Sequence, residues 1–121
     1  MNFLNVKVVK EGEDILLVCD GAKLNIGKNE ALGNYLDKEV ILGIRPENVS
    51  LSSKDKRNHI LGKIEVVEHL GAETLIYLKT TAGNIVSRVE PSFSTRIGEE
   101  IELYLNLDKI HLFDKETEKK I

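Results

Sequence analysis

Lys38-Glu39-Val40-Ile41-Leu42-Gly43-Ile44-Arg45-Pro46-Glu47-Asn48-Val49-Ser50-Leu51 is the stretch that decides the architecture of this 121-residue chain. Val40, Leu42 and Ile44 alternate as one buried face of a strand, and the strand stops at Pro46, whose ring fixes φ and removes the amide hydrogen that a central ladder needs. Arg45 stands just before the turn that must follow and Glu47 just after it. A forked donor and an acceptor therefore sit at the rim of a sheet rather than in its middle. Moved forward by 61 positions without a gap, the stretch falls on Glu99 to Leu112. Val40, Leu42, Ile44, Val49 and Leu51 then meet Ile101, Leu103, Leu105, Ile110 and Leu112, apolar on apolar throughout. The openings of the two halves agree as well: Val6-Lys7-Val8-Val9-Lys10 has the pattern of Ile64-Glu65-Val66-Val67-Glu68 at a shift of 58, with the charges reversed. A short hairpin unit cannot bury its apolar face alone, whereas two stacked copies can.

The rest of the chain is punctuated as short strands. Phe3 to Lys10 alternates and ends at Glu11-Gly12-Glu13-Asp14, a turn leading into Ile15 to Cys19, which predicts a hairpin. Asp20-Gly21-Ala22-Lys23 predicts a second turn, Leu24 and Ile26 a short third strand closed by Gly27-Lys28-Asn29, and Glu30 to Leu36 one helical turn kept short by Gly33 and Asn34. The polar run Ser52 to Asn58 has no apolar anchor and predicts an exposed connection. Beyond Ile60 the pattern predicts a strand over Lys63 to Leu70, a turn at Gly71-Ala72, a return strand over Thr74 to Thr80, a turn at Ala82-Gly83-Asn84 and a strand over Ile85 to Val89. A loop from Pro91 to Gly98, a period-two strand through Ile101, Leu103, Leu105 and Leu107, and a short strand over Ile110 to Phe113 follow. The charged tail, Asp114 to Ile121, predicts frayed or weakly helical chain. Five or so short strands per half, in half-repeats of about 3–51 and 60–114, predict one all-β domain over 1–121. Its architecture is that of small Greek-key or OB-like barrels sharing a core, with at most one or two short helical turns.

Composition narrows the function classes. Scaling allows a chain of this length to bury about two-thirds of its extended surface. With 31% charged and 41% hydrophobic residues the chain is neither disordered nor membrane-spanning, since no apolar run reaches the roughly 18 residues a bilayer helix requires. The opening Met1-Asn2-Phe3-Leu4-Asn5-Val6-Lys7 has no basic segment followed by an apolar stretch, which predicts a cytoplasmic location. The single cysteine, Cys19, follows Ile15-Leu16-Leu17-Val18 and reads as a small core hydrophobe rather than a catalytic thiol, because no basic neighbour lowers its pKa. A formal charge of −3 argues against a nucleic-acid surface.

Motifs of catalysis are missing. A phosphate loop needs four residues between its first glycine and Gly-Lys-Ser/Thr, whereas Gly21 through Gly27-Lys28-Asn29 has five and ends in an asparagine. Glu65, Val67 and His69 would share one strand face, with Glu68 on the other, but two ligands are too few for a metal, and His59 and His111 have no helpful spacing. No strand–Gly-x-Ser-x-Gly–helix element appears. Phe3, Phe93, Phe113, Tyr35, Tyr77 and Tyr104 are scattered, and Lys54, Lys56 and Arg57 read as a solvated loop rather than a groove for single strands. The residues by themselves predict no enzyme, cofactor or metal.

Four strings, taken in order, resemble one family: Met1-Asn2-Phe3-Leu4; Leu42-Gly43-Ile44-Arg45-Pro46-Glu47; Gly62-Lys63-Ile64-Glu65-Val66-Val67-Glu68-His69-Leu70-Gly71-Ala72-Glu73-Thr74; and His111-Leu112-Phe113-Asp114. Together they are similar to the C-terminal regulatory domain, the transport-associated OB or TOBE region, of maltose-type sugar ABC importer ATP-binding subunits. The resemblance covers nearly the whole chain and leaves out the family's ATPase domain, which implies an excised C-terminal domain or a truncated product. It implies a non-catalytic regulatory and dimerisation role, with a second copy of the same subunit and its own ATPase domain as partners. It also implies a place for a cytosolic regulatory protein on the outer face, and a position peripheral to the inner face of the membrane without insertion into it. On the family's motif positions the partner surface would include Phe3, Gly43, Arg45, Pro46, Glu47, Gly62 and Glu68; the two glycines equally suit close backbone packing, and Pro46 the turn. From Arg57-Asn58 onward the chain also resembles small molybdate-binding modules, which implies oxyanion binding as the alternative. There Lys56 replaces the small hydroxyl residue expected ahead of the Arg-Asn pair.

Overall fold

The computed structural model describes residues 1–19, 22–51 and 59–121. The first half contributes β1 (Asn2–Glu11), β2 (Asp14–Cys19), β3 (Ala22–Gly27), β4 (Glu39–Ile44) and the short β5 (Val49–Ser50). The second contributes β6 (His59–His69), β7 (Thr74–Thr80), β8 (Gly83–Val89), β9 (Glu100–Leu105) and β10 (His111–Asp114). Short 3-10 turns occupy Glu30–Tyr35, Pro46–Asn48 and Leu107–Lys109. The halves are therefore the same series of elements, and they are interlocked. One antiparallel sheet runs β10-β4-β1-β2-β3 and the other β5-β9-β6-β7-β8, so each half lends its fifth strand to the other's sheet.

The exchange follows from the stretch around Pro46. Ile44 ends β4 fully buried, Arg45 is extended, and Pro46 starts a 3-10 turn where its missing amide hydrogen costs nothing. The chain leaves its own sheet there and enters the other. At the equivalent place Asn106 Oδ1 accepts the Asp108 N–H at 3.1 Å and caps the turn Leu107–Lys109. For that reason β9 ends at Leu105 and does not continue to Leu107 as the alternation suggested. The two turns touch: the Asn106 N–H donates to the Asn48 carbonyl at 3.1 Å.

Backbone bonds give the true register of the repeat. Val8 donates to Lys38 O at 2.9 Å and accepts from Asp37 N–H at 2.7 Å; Ile64 donates to Glu99 O at 2.9 Å and accepts from Gly98 N–H at 2.7 Å. Lys38 and Glu99 keep the 61-residue shift, but Val8 falls on Ile64, a shift of 56 rather than 58. A slip of two leaves every side chain on its own face, so apolar pattern alone does not distinguish the two registers. Asp37 and Gly98, paired by this register, both have positive φ, 62° and 88°.

Leu4, Val6, Val8, Leu17, Leu24, Val40, Leu42 and Ile44 form one cluster with Ile60, Ile64, Ile76, Leu78, Ile85, Leu103 and Leu105, so the halves share a core. Each such side chain contributes about 1.5–3 kcal/mol relative to exposure. Cys19 is buried among them. Polar clasps join the sheets. Asn2 Nδ2 donates to Val86 O and Asn2 Oδ1 accepts the Val86 N–H, both at 2.8 Å, and the buried Ser87 hydroxyl donates to Val49 O at 2.6 Å.

Three further expectations are corrected. β6 begins at His59, four residues before Lys63, because its first part pairs with β9 rather than β7. A bulge between Ile64 and Val66 breaks its alternation, so Glu65 does not share a face with Val67 and His69. The tail is neither frayed nor helical. Asp114 Oδ1 accepts from the N–H groups of Glu116 and Thr117 at 2.8 and 3.0 Å, turning the chain so that Ile121 N–H reaches Leu112 O at 2.8 Å and Lys120 bridges Phe113. The connection at 52–58 lies outside the described residues.

Candidate partner-binding surface

Gly43 sets the first part of the surface. It lies opposite Phe3 on β1 and His111 on β10, and a Cβ placed there would come within 2.8 Å of Met1 Sδ and 3.0 Å of Phe113 Cε2. The missing side chain is what lets Met1, Phe3 and Phe113 close over the sheet. Phe3 and Phe113 meet edge to face with centroids 6.2 Å apart, yet Phe3 remains 57% and Met1 50% exposed. At the corresponding place in the other sheet Tyr104 lies opposite His59, with ring centroids 6.1 Å apart. An exposed apolar patch is thus a property of the first half.

The rim adjoins it along β4. Arg45 and Glu47 are exposed, and with Asn48, Asp108, Lys109, Ile110 and His111 they line a shallow cleft of about 440 Å³ between the two touching 3-10 turns. Glu47 is held by Arg88 of β8 at 3.0 Å, and Arg88 Nε also meets Glu73 at 2.9 Å. The loop is therefore pinned by Arg88 rather than by a pair between Arg45 and Glu47. Among the described residues no carboxylate lies within ion-pair distance of the Arg45 guanidinium.

Of the seven residues chosen from motif positions, Phe3, Gly43, Arg45, Pro46 and Glu47 fall on this patch and rim. Gly62 does not: it is buried, and a Cβ there would face Leu103 Cδ1 at 3.2 Å and Leu78 Cβ at 3.5 Å, so its smallness serves packing. Glu68 lies on the other sheet, where Tyr77 Oη approaches it at 3.4 Å. Met1, His111, Phe113 and Arg88 were missed; β10 reaches this face only through the strand exchange, which no local pattern announces. Below the patch the tail is clasped to β4 by Lys115 on Glu39 and by the Tyr35 hydroxyl donating to Asp114 Oδ2 at 2.9 Å. Backbone donors, Thr117 foremost, and the Tyr35 hydroxyl hold the Asp114 carboxyl below the usual range, while Asp114 pushes Tyr35 up. Among the described residues no group of three or more His, Cys, Asp or Glu could hold a metal, and no helix is long and apolar enough to cross a membrane.

The family described as TOBE domain matches residues 42–113, and the MalK OB fold domain matches residues 1–49. The chain belongs to the TOBE-domain family, with a MalK-type OB fold. Over its whole length this TOBE chain is 33% identical to the oligosaccharides import ATP-binding protein MsmX of Bacillus subtilis, covering 34% of that protein. It is likewise 33% identical to the trehalose/maltose import ATP-binding protein MalK of Thermococcus litoralis, again over the whole chain and 34% of the relative. The multiple sugar-binding transport ATP-binding protein MsmK of Streptococcus mutans gives 33% identity over the whole chain and 33% of its own length. The chain thus spans about a third of the length of the curated relatives it matches. The crystal structure of the cytoplasmic molybdate-binding protein ModG shares the fold, with a TM-score of 0.67 at 16% identity, covering 92% of this chain and 94% of that one.

Proposed function

We propose that this chain is a non-catalytic regulatory and dimerisation domain of the ATP-binding subunit of a carbohydrate ABC importer, acting as one unit over residues 1–121. The observation that carries this reading is the end-to-end match to sugar-import ATP-binding proteins of which the chain spans only a third. Hydrolysis then belongs to the remainder of such a subunit, which stands peripheral to the inner face of the membrane. The partner is a second copy, received on Met1, Phe3 and Phe113 above Gly43 and on the rim of Arg45, Pro46 and Glu47. Exposed aromatic and methionine side chains ringed by polar groups are the composition of an interface core. The same outer face could also receive a regulatory protein, and the reading assigns no cofactor.

Sedimentation of the chain across concentration tests the proposal. A reversible dimer is expected, with Phe3→Asp monomeric and unchanged in its unfolding midpoint. A chain that stays monomeric throughout, and also when joined to an ATPase domain of its own class, would refute the dimer. The oxyanion alternative draws on the fold shared with ModG and on Arg57 and Asn58, which lie outside the described residues. Saturable binding of molybdate in a calorimeter would displace the regulatory reading.

A further inference from the structure

The duplication supplies an internal control for the ends of the two sheets. The Leu32 N–H donates to Asn29 O at 3.3 Å, and 61 positions on the Phe93 N–H donates to Glu90 O at 3.0 Å. Lys38 N–H to Tyr35 O at 3.0 Å is repeated as Glu99 N–H to Arg96 O at 3.1 Å. Leu32, Tyr35 and Leu36 therefore correspond to Phe93, Arg96 and Ile97. The first set closes its end of the fold: Leu32 is fully buried, Leu36 packs half-buried on the core, and Tyr35 is bonded to Asp114. The second set leaves its end open. Phe93 is only half-buried, Ile97 is 69% exposed, and the hollow beside them is about 690 Å³ against about 290 Å³ in the first half.

The two hollows also differ in charge. Lys10, Lys28, Glu13 and Glu30 line the first, where Lys28 and Glu13 pair at 2.9 Å. The second is lined by apolar Val67, Phe93 and Ile97, by the hydroxyls of Ser92, Ser94 and Thr95, and by Arg96 and His69, with no carboxylate in the lining. Glu99, the acid of this loop, is taken up by Thr95 Oγ1 and the Arg96 N–H, both at 3.2 Å, and His69 Nδ1 meets Thr74 Oγ1 at 3.2 Å. On a chain of net charge −3 this is a local inversion of sign beside an uncovered apolar pair.

We propose that this hollow is a docking site for a protein segment presenting an apolar side chain next to a carboxylate. The apolar group covers Phe93 and Ile97, and the carboxylate meets the fork of Arg96. The site lies on the β6–β7 side of the second sheet, is independent of the dimer reading, and stands or falls separately from it.

The test is an amide-shift titration of the whole chain with the peptide acetyl-Glu-Leu-Phe-Glu-amide and with its lysine counterpart, acetyl-Lys-Leu-Phe-Lys-amide. Saturable shifts confined to Val67, His69 and Ser92 to Ile97 are expected for the acidic peptide, with affinity about tenfold above that of the basic one, the scale of one charge-assisted bond. Arg96→Glu should invert the preference, and Ile97→Ala, an exposed position that leaves the core intact, should weaken both peptides. Equal binding of the two peptides, shifts centred on Phe3 and Phe113, or no saturable shift at millimolar peptide would overturn the proposal. Equal displacement of the same amides by inorganic phosphate would reassign the hollow to free anions and overturn it too.

Discussion

Asn2→Ala is the substitution whose cost the geometry fixes most closely. Asn2 is only 7% exposed, and its amide forms a two-bond clasp on the backbone of Val86, one bond given and one accepted, both 2.8 Å long. Truncation removes both bonds and strips the Val86 N–H and carbonyl of their partners. Two net hydrogen bonds account for roughly 1–3 kcal/mol, and a stranded buried group adds about 1–3 kcal/mol. Val86 is half-buried, so water recovers part of the second amount. The expected loss is about 2.5 kcal/mol, read as a lower urea midpoint at unchanged m-value and as a fall in Tm of about 10 °C. Asn2→Asp separates the two bonds. A carboxylate still accepts the Val86 N–H but faces the Val86 carbonyl with no proton to give, so at neutral pH the variant should be less stable than Asn2→Ala. Burial against an acceptor raises the pKa of that introduced carboxyl, and stability should therefore return as pH falls and the group gains its proton. An Asn2→Ala chain within about 0.5 kcal/mol of the parent, or an Asn2→Asp chain as stable as the parent at neutral pH, would refute the clasp; the first margin is the scatter of ordinary surface changes.

Gly98 has φ 88°, and no neighbouring atom lies within 4 Å of the position a Cβ would take, so substitution there acts on the backbone alone. Gly98→Ala should cost about 1 kcal/mol in urea unfolding and Gly98→Asn distinctly less, because Asn tolerates positive φ; equal costs would show that φ is not the cause. Asp114 is held below the ordinary carboxylate range by Thr117 and Glu116 backbone donors and by Tyr35, so its contribution is full above its unfolded-state value and is lost as pH falls through the lower folded value. Amide exchange at Glu116 and Thr117 should quicken on acidification below the usual carboxylate range, and Asp114→Ala should show the quickened rates already at neutral pH; rates in the parent that ignore acid would contradict the clasp.

Much of the fold was legible because short amphipathic strands announce themselves by period two. Thr74 to Thr80 was read to the residue, the hairpins and the helical turn near Glu30 were placed, and the doubled pattern around Pro46 showed two like halves. The candidate surface was legible only where a residue type was odd for its place. Gly43, Arg45 and Pro46 depart from their counterparts Tyr104, Asn106 and Leu107, and all three lie on or beside the patch. Gly62, equally odd for a strand, proved to be an interior position under Leu103. A glycine marks a close approach, and sequence does not tell whether the neighbour is core or surface.

Alternation of apolar and polar residues by itself determined the strands, their turns and the duplication, since each depends on neighbours within a few positions. Only the tertiary structure decided which sheet β5 and β10 join, the two-residue slip that sets Val8 on Ile64, and the meeting of Phe113 with Phe3 over Gly43. The reason is the same in each case. A strand's pattern says which face is buried, and a register slipped by two or a strand moved to the twin sheet buries that face equally well. The choice is then made by contacts across long sequence separations, such as the clasp of Asn2 on Val86 and the turn-to-turn bond from Asn106 to Asn48.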